Sequence, residues 1–124
     1  LVSHAMVTTR WLQPEGQPLL KTAYVDAVAT LPIVQGRGYG STLMRYLAGK
    51  IDDEFVIGCL ETDRVEFYER LGWETWRGPL AGRSKQGLIP TPEQKGIMVL
   101  QLSQTPVLNL DSTLTIECQD ERIW

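Results

Sequence analysis

Histidine and cysteine are nearly absent from the chain. His4 is the only histidine, and Cys59 and Cys118 stand far apart with no C-x-x-C spacing. A zinc site would have too few ligands, so no metal is expected and all three residues read as structural. Also missing is any apolar run near the roughly 20 residues that crossing a bilayer takes, or the charged and apolar regions of a signal peptide. A cytoplasmic setting without membrane contact is the expectation. Positive charge is short as well: 12 Lys and Arg against 15 Asp and Glu leave a net charge of −3 and a pI near 5.1. Nucleic acid, whose binding rests on cationic contacts to phosphate, is disfavoured, and a cationic partner fits better. Glu117, Asp120 and Glu121 gather near the C-terminus, where they add to a negative field or form a solvated tail.

What is present suits one globular domain over residues 1–124, with 43% hydrophobic and 22% charged residues and no internal repeat. The chain begins at Leu1, directly in a strand-like run, as a fragment or processed chain would. That run, residues 2–12, and a second one, residues 20–30, flank a turn containing Pro14, Gly16 and Pro18, which predicts a β-hairpin. In the second strand Ala23, Val25, Ala27 and Ala29 alternate with Tyr24, Asp26, Val28 and Thr30, so Asp26 shares a face with Tyr24 and Val28. After Pro32 comes a glycine-rich turn, Gln35, Gly36, Arg37, Gly38, Tyr39 and Gly40. Leu43, Leu47, Ile51 and Phe55 then recur every four residues, as in an amphipathic helix headed by Ser41.

Residues 55–60 form a short apolar run of strand length. Asp63 offers an N-cap with Glu66 three residues on, and Gly72 a stop, for a helix carrying Val65, Phe67, Tyr68 and Leu71. Residues 79–96 read as a long polar loop able to close over a substrate. Residues 97–102 return as a strand, and Leu114, Ile116 and Cys118 alternate in a last one.

The glycine-rich turn lies between a strand and a helix, where backbone N–H groups and the helix dipole favour a pyrophosphate. Glycines let the backbone approach the phosphates, and Arg37 adds charge at the rim. A dinucleotide-binding fold competes for this reading, because Gly36 and Gly38 open a G-x-G-x-x-G pattern and Glu61 follows at a strand end. Against it, the third glycine position is Ser41, and the preceding strand alternates instead of being apolar throughout.

The same six residues match the Q/R-x-x-G-x-G/A element of GCN5-related N-acetyltransferases at Gln35, Gly38 and Gly40. Phe67, Tyr68, Gly72 and Trp73 resemble that family's F-Y-x-x-x-G-F/W helix. Tyr24 to Val28, then Trp76, Arg77, Gly78 and Pro79, and the final Trp124 resemble the aminoglycoside 2'-N-acetyltransferases in particular. The resemblance implies an α/β (α+β) fold with a mixed, mostly antiparallel central sheet flanked by helices. In that fold the sheet splits where two parallel strands diverge, and acetyl-CoA lies in the split. It implies backbone of Val28, Ala29 and Thr30 on the pantetheine arm and residues 35–40 on the pyrophosphate. Asp26 and the Trp124 carboxylate would accept the proton through water, and Tyr68 would protonate the coenzyme A sulfur. Asp26, Ala27, Glu61, Glu93 and Gln94 fall where the family contacts its acceptor, and the acidic ones suit a small cationic amine, an aminoglycoside.

The chain departs from the family in three places: Asp26 stands where glutamate is typical, Glu61 where a small hydroxyl residue is, and Gln94 where aspartate is. The family's first strand, two helices and another strand have no counterpart here. That leaves an apolar edge at residues 2–12, which points to a possible homodimer. Tyr68 also suits an ordinary core aromatic, and Glu61 a helix cap; Trp11, Trp73 and Trp76 suit packing. Two other functions stay open: a non-catalytic acyl-CoA-binding module, and an N-acetyltransferase for a polyamine or peptide amine.

Overall fold

A computed structural model of the chain describes residues 3–30, 39–119 and 122–124. Its framework is one sheet of eight strands: β1 (Ser3–Pro14), β2 (Leu20–Thr30), β3 (Ile57–Glu61), β4 (Glu74–Thr75), β5 (Leu80–Ser84), β6 (Gly87–Pro90), β7 (Ile97–Gln101) and β8 (Leu114–Glu117). Helix α1 (Tyr39–Ile51) joins β2 to β3, and α2 (Val65–Glu69) follows β3. The strands lie in the order β4-β7-β3-β2-β1-β8-β5-β6. β2 with β3 and β5 with β8 are parallel, and every other neighbouring pair is antiparallel. This is the expected mixed, mostly antiparallel α+β architecture.

Alternation along the strands sorts the core into two layers. Ala23, Val25, Leu60, Met98 and Leu100 pack on one face with Met44 and Ile51 of α1, Tyr68 of α2 and Trp73. The other face carries Leu12, Leu20, Tyr24, Ile57, Cys59, Ile97, Val99, Leu114 and Ile116 under Trp76 and Trp124. No helix covers this second face among the described residues; the segment before β8 and the C-terminal residues do, through Leu108, Leu110 and Ile123. Trp76 is tied down there by its indole N–H, which donates to the Ser112 carbonyl at 2.8 Å.

Several local expectations change. Residues 79–96 are no free loop: β5 and β6 form a hairpin, and β5 joins β8 in parallel pairing. The expected open edge of β1 is covered only at one end, and before Leu12 no strand other than β2 pairs with it among the described residues. Leu12–Pro14 pairs with β8, and the Glu117 carboxylate receives the Trp11 N–H at 3.1 Å. Helix α1 ends at Ile51, short of Phe55, and β3 begins at Ile57. Phe55 still donates its N–H to the Ile51 carbonyl at 3.0 Å and packs against the helical layer. The α2 cap position is Arg64, not Asp63, and no side chain caps it; the Thr62 hydroxyl instead accepts the Arg64 N–H at 2.9 Å. Gly72 stops that segment with φ +96°, a conformation that favours glycine. β8 ends at Glu117, one residue before Cys118.

Candidate active site

The site begins where β2 outruns β3. Parallel pairing ends at Val25 with Leu60, while β2 continues to Thr30 with only β1 beside it. The Lys21 carbonyl accepts the Val56 N–H, so the odd-numbered residues of β2 aim their backbone groups toward β3. Past the end of β3 the pairing of β2 with β1 shifts register between Met6–Asp26 and His4–Ala29, a bulge that interrupts this alternation and leaves the other backbone edge of residues 27–30 without a strand beside it. A gap with free strand hydrogen bonds suits an extended amide-bearing chain. Gln35, Gly36, Arg37 and Gly38 lie outside the described residues. Tyr39 and Gly40 form the first backbone positions of α1.

Asp26 shares the Tyr24 face of β2 and is gripped by a residue the sequence had not marked. Arg122 donates from Nη2 to Asp26 Oδ1 at 2.7 Å and from Nη1 to Oδ2 at 3.1 Å. Its Nε–H goes to the main-chain oxygen of Trp124 at 2.9 Å, and its guanidinium lies 5.2 Å from the Tyr24 ring centre. A backbone bridge between Gln119 and Arg122 turns the C-terminal segment back toward β2. Asp26, by accepting hydrogen bonds, raises the Arg122 guanidinium above its ordinary value, so it stays charged.

Beneath this pair the Tyr24 ring sits between two cations, with Arg10 also 5.2 Å from its centre. Tyr24 is fully buried, and burial pushes its phenol well above the ordinary range. Its hydroxyl and Arg10 Nη1 are buried without hydrogen-bond partners among the described residues. Arg10 is otherwise held by Glu117, through Nε to the carboxylate at 3.2 Å and Nη2 to the main-chain oxygen.

Glu61, Glu93 and Gln94 come together. With Pro90, Thr91, Pro92 and Lys95 they line an open pocket of about 610 Å³. Gln94 Nε2 donates both to Glu61 Oε2 and to the Lys95 carbonyl. The wall of this pocket returns into β7 through Gly96, whose φ is +74° and whose carbonyl accepts the Thr62 N–H at 2.9 Å. A Cβ at Gly96 would stand 1.9 Å from the Thr62 oxygen, so only glycine fits. Thr91 links the pocket to the Asp26 cluster: its hydroxyl accepts the Trp124 indole N–H at 3.0 Å and donates to the Leu80 carbonyl at 3.0 Å.

Tyr68 is in neither group. It packs edge-on against Phe67 and Trp73 in the helical layer, on the opposite face of the sheet from Asp26. Burial raises its phenol above the ordinary value against a smaller lowering by Arg64, which keeps it protonated at neutral pH. Helix α2, which carries Tyr68, starts a few residues after β3 ends.

The acetyltransferase (GNAT) domain model matches residues 4–75, more than half of the chain. The chain belongs to that family. A GCN5-related N-acetyltransferase from Kribbella flavida is 28% identical over 63% of this GNAT domain, with a TM-score of 0.57. Eis1 from Mycobacterium abscessus is 24% identical over 59%, with a TM-score of 0.56. A GNAT family N-acetyltransferase, YhbS from Escherichia coli, in complex with CoA, covers 96% of the chain at 13% identity and a TM-score of 0.64. The last two are likenesses of fold. The GNAT domain spans only 20%, 19% and 61% of those three chains, in the same order.

Proposed function

We propose that this GNAT domain is the coenzyme A-binding and acetyl-transferring part of an N-acetyltransferase whose acceptor is a polycationic amine, the 2'-amine of an aminoglycoside. The observation that carries this reading is the junction of an acidic pocket, Glu61 and Glu93, with the Asp26 cluster through Thr91 and Trp124. Carboxylates spaced along an open pocket hold ammonium groups, and a further carboxylate at one end is placed to take a proton.

The residues fit acetyl-CoA. The backbone edge of β2 past Val25 meets the gap that a pantetheine amide would fill, and the N-terminus of the 13-residue α1 favours a pyrophosphate. When bound, acetyl-CoA supplies the acetyl thioester. The acceptor nitrogen attacks the acetyl carbon, the new C–N bond forms and the C–S bond breaks. Asp26, with the Trp124 carboxylate, takes the proton that the nitrogen loses, and the Tyr68 hydroxyl gives one to the departing sulfur.

The test is thiol release from acetyl-CoA with aminoglycosides that carry or lack a 2'-amino group and with a linear polyamine. Release confined to 2'-amino compounds is expected. Release with the polyamine alone would move the acceptor assignment, and coenzyme A binding without release to any amine would replace the transferase reading with that of a binding module.

A further inference from the structure

Arg122 poses a problem for a site built to receive a cation. Its guanidinium already occupies both oxygens of Asp26 and is fixed by the Trp124 oxygen and the Tyr24 ring. An acceptor ammonium would otherwise find an unscreened carboxylate at the place where the nitrogen must be neutral to attack. An ion pair there lowers the energy of the bound ground state and not of the transition state, which slows turnover.

We infer that Arg122 is a positioning residue that withholds Asp26 from the acceptor's ammonium groups, leaving Glu61 and Glu93 to bind the cation and Asp26 to take the proton. The inference rests on the transferase reading above. The two carboxylate sets differ in a way that supports the division: Glu61 and Glu93 have no cation paired with them within salt-bridge distance among the described residues, whereas Asp26 has a bidentate one. The fork also fixes the carboxylate's orientation, which an ammonium on a flexible substrate would not.

The test compares Arg122→Gln, Arg122→Lys and Asp26→Asn in the full chain. It reads the dissociation constant of a 2'-amino aminoglycoside by calorimetry without acetyl-CoA, and kcat and KM for the same compound. Arg122→Gln is expected to bind the aminoglycoside several-fold more tightly while kcat falls about 10-fold, both shifts being of the size one partly exposed charge produces. A role in structure alone would weaken binding and turnover together. Arg122→Lys restores the charge without the fork and is expected to return the dissociation constant toward its starting value. In the Asp26→Asn background, Arg122→Gln should leave kcat unchanged, because its effect runs through Asp26. Weaker or unchanged aminoglycoside binding in Arg122→Gln, or an undiminished effect in that background, overturns the inference while thiol release by the unaltered chain upholds the transferase reading. If the unaltered chain binds the aminoglycoside without releasing thiol, the transferase reading falls and Arg122 is judged on the dissociation constants. Absence of aminoglycoside binding in every variant overturns both.

Discussion

Replacing Glu117 with Gln tests whether Arg10 is a buried cation dependent on one partner. Its side chain is 1% exposed, and among the described residues its only charged partner is Glu117, whose own side chain is 28% exposed. Removing one member of a buried pair leaves the other charge uncompensated, at about 3–5 kcal/mol; the partial exposure of Glu117 brings this toward about 2 kcal/mol. Glutamine keeps the shape and an oxygen for the Trp11 N–H, so the loss reads the charge and not packing. Arg10→Met removes the cation itself and replaces it with an apolar chain of similar length, at about 1 kcal/mol including the stacking on Tyr24. The double variant, with no charge left to bury, should then be more stable than Glu117→Gln alone. Urea unfolding followed by circular dichroism checks this. With m near 2 kcal/mol/M, Glu117→Gln moves the midpoint down by about 1 M, and Arg10→Met by roughly half of that. A double variant whose loss equals the sum of the two single losses would refute the reasoning, since it would mean that the two residues are not coupled.

Gly96→Ala is expected to cost about 3 kcal/mol or more in thermal unfolding, because a side chain at φ +74° also collides with the Thr62 oxygen. Gly72→Ala, at φ +96° with its nearest neighbouring atom 3.9 Å away, should cost only about 1 kcal/mol. Tyr24→Phe should change stability by no more than about 1 kcal/mol, since the hydroxyl it removes is buried with no hydrogen bond of good geometry among the described residues. Tyr68 and Tyr24 have raised phenol values, chiefly from burial. The folded state therefore keeps protons that the unfolded state loses above about pH 10. The stability they contribute is complete below that pH and declines as pH rises toward the folded values, and Tyr68→Phe should make the decline shallower in urea unfolding between about pH 8 and 11. Glu61→Gln should raise KM for a polycationic acceptor roughly 3- to 10-fold and leave KM for acetyl-CoA unchanged, as steady-state kinetics would show.

Alternating and four-residue periodicity made the hairpin and α1 legible, and β3 and β7 were legible as short apolar runs, which the sheet buries on both faces. The β5–β6 hairpin was not, since the run from Leu80 to Pro90 mixes small, charged and apolar residues without alternation, and all of β6 is exposed. Glycine and proline there looked like loop chemistry. What makes β5 a strand is a partner far along the chain, β8, with which it pairs in parallel. The same limit hid Arg122. One arginine among the polar residues before Trp124 cannot be told from a solvated tail until the chain folds and sets it against Asp26, 96 positions earlier. The acidic pocket was easier, because Glu61, Glu93 and Gln94 were carried over from a family pattern and their grouping needs only β3 and β7 to be neighbours.

These contacts divide the domain along its length. The family match covers residues 4–75, which contain Asp26, the edge of β2 past Val25, and Tyr68. Apart from Glu61, the acidic side chains and neighbours of the pocket come from later residues, Thr91, Glu93, Gln94 and Lys95 after β6, and the partners of Asp26, Arg122 and Trp124, come from the C-terminal segment. The two parts share the sheet, with Glu61 of β3 paired to Ile97 of β7, and at the pocket itself they are joined by side-chain bonds, Gln94 to Glu61 and Arg122 to Asp26. These side-chain bonds are individually weak at partly exposed sites, so on the proposed reading substitutions within residues 90–95 would change which amine is held without disturbing the edge of β2. It follows that exchanging residues 90–95 for those of another member of the family should alter acceptor choice and leave coenzyme A affinity where it was. Were coenzyme A binding lost with the exchange, the halves would be coupled through the sheet, and the division of labour between Asp26 and the acidic pocket would have to be given up.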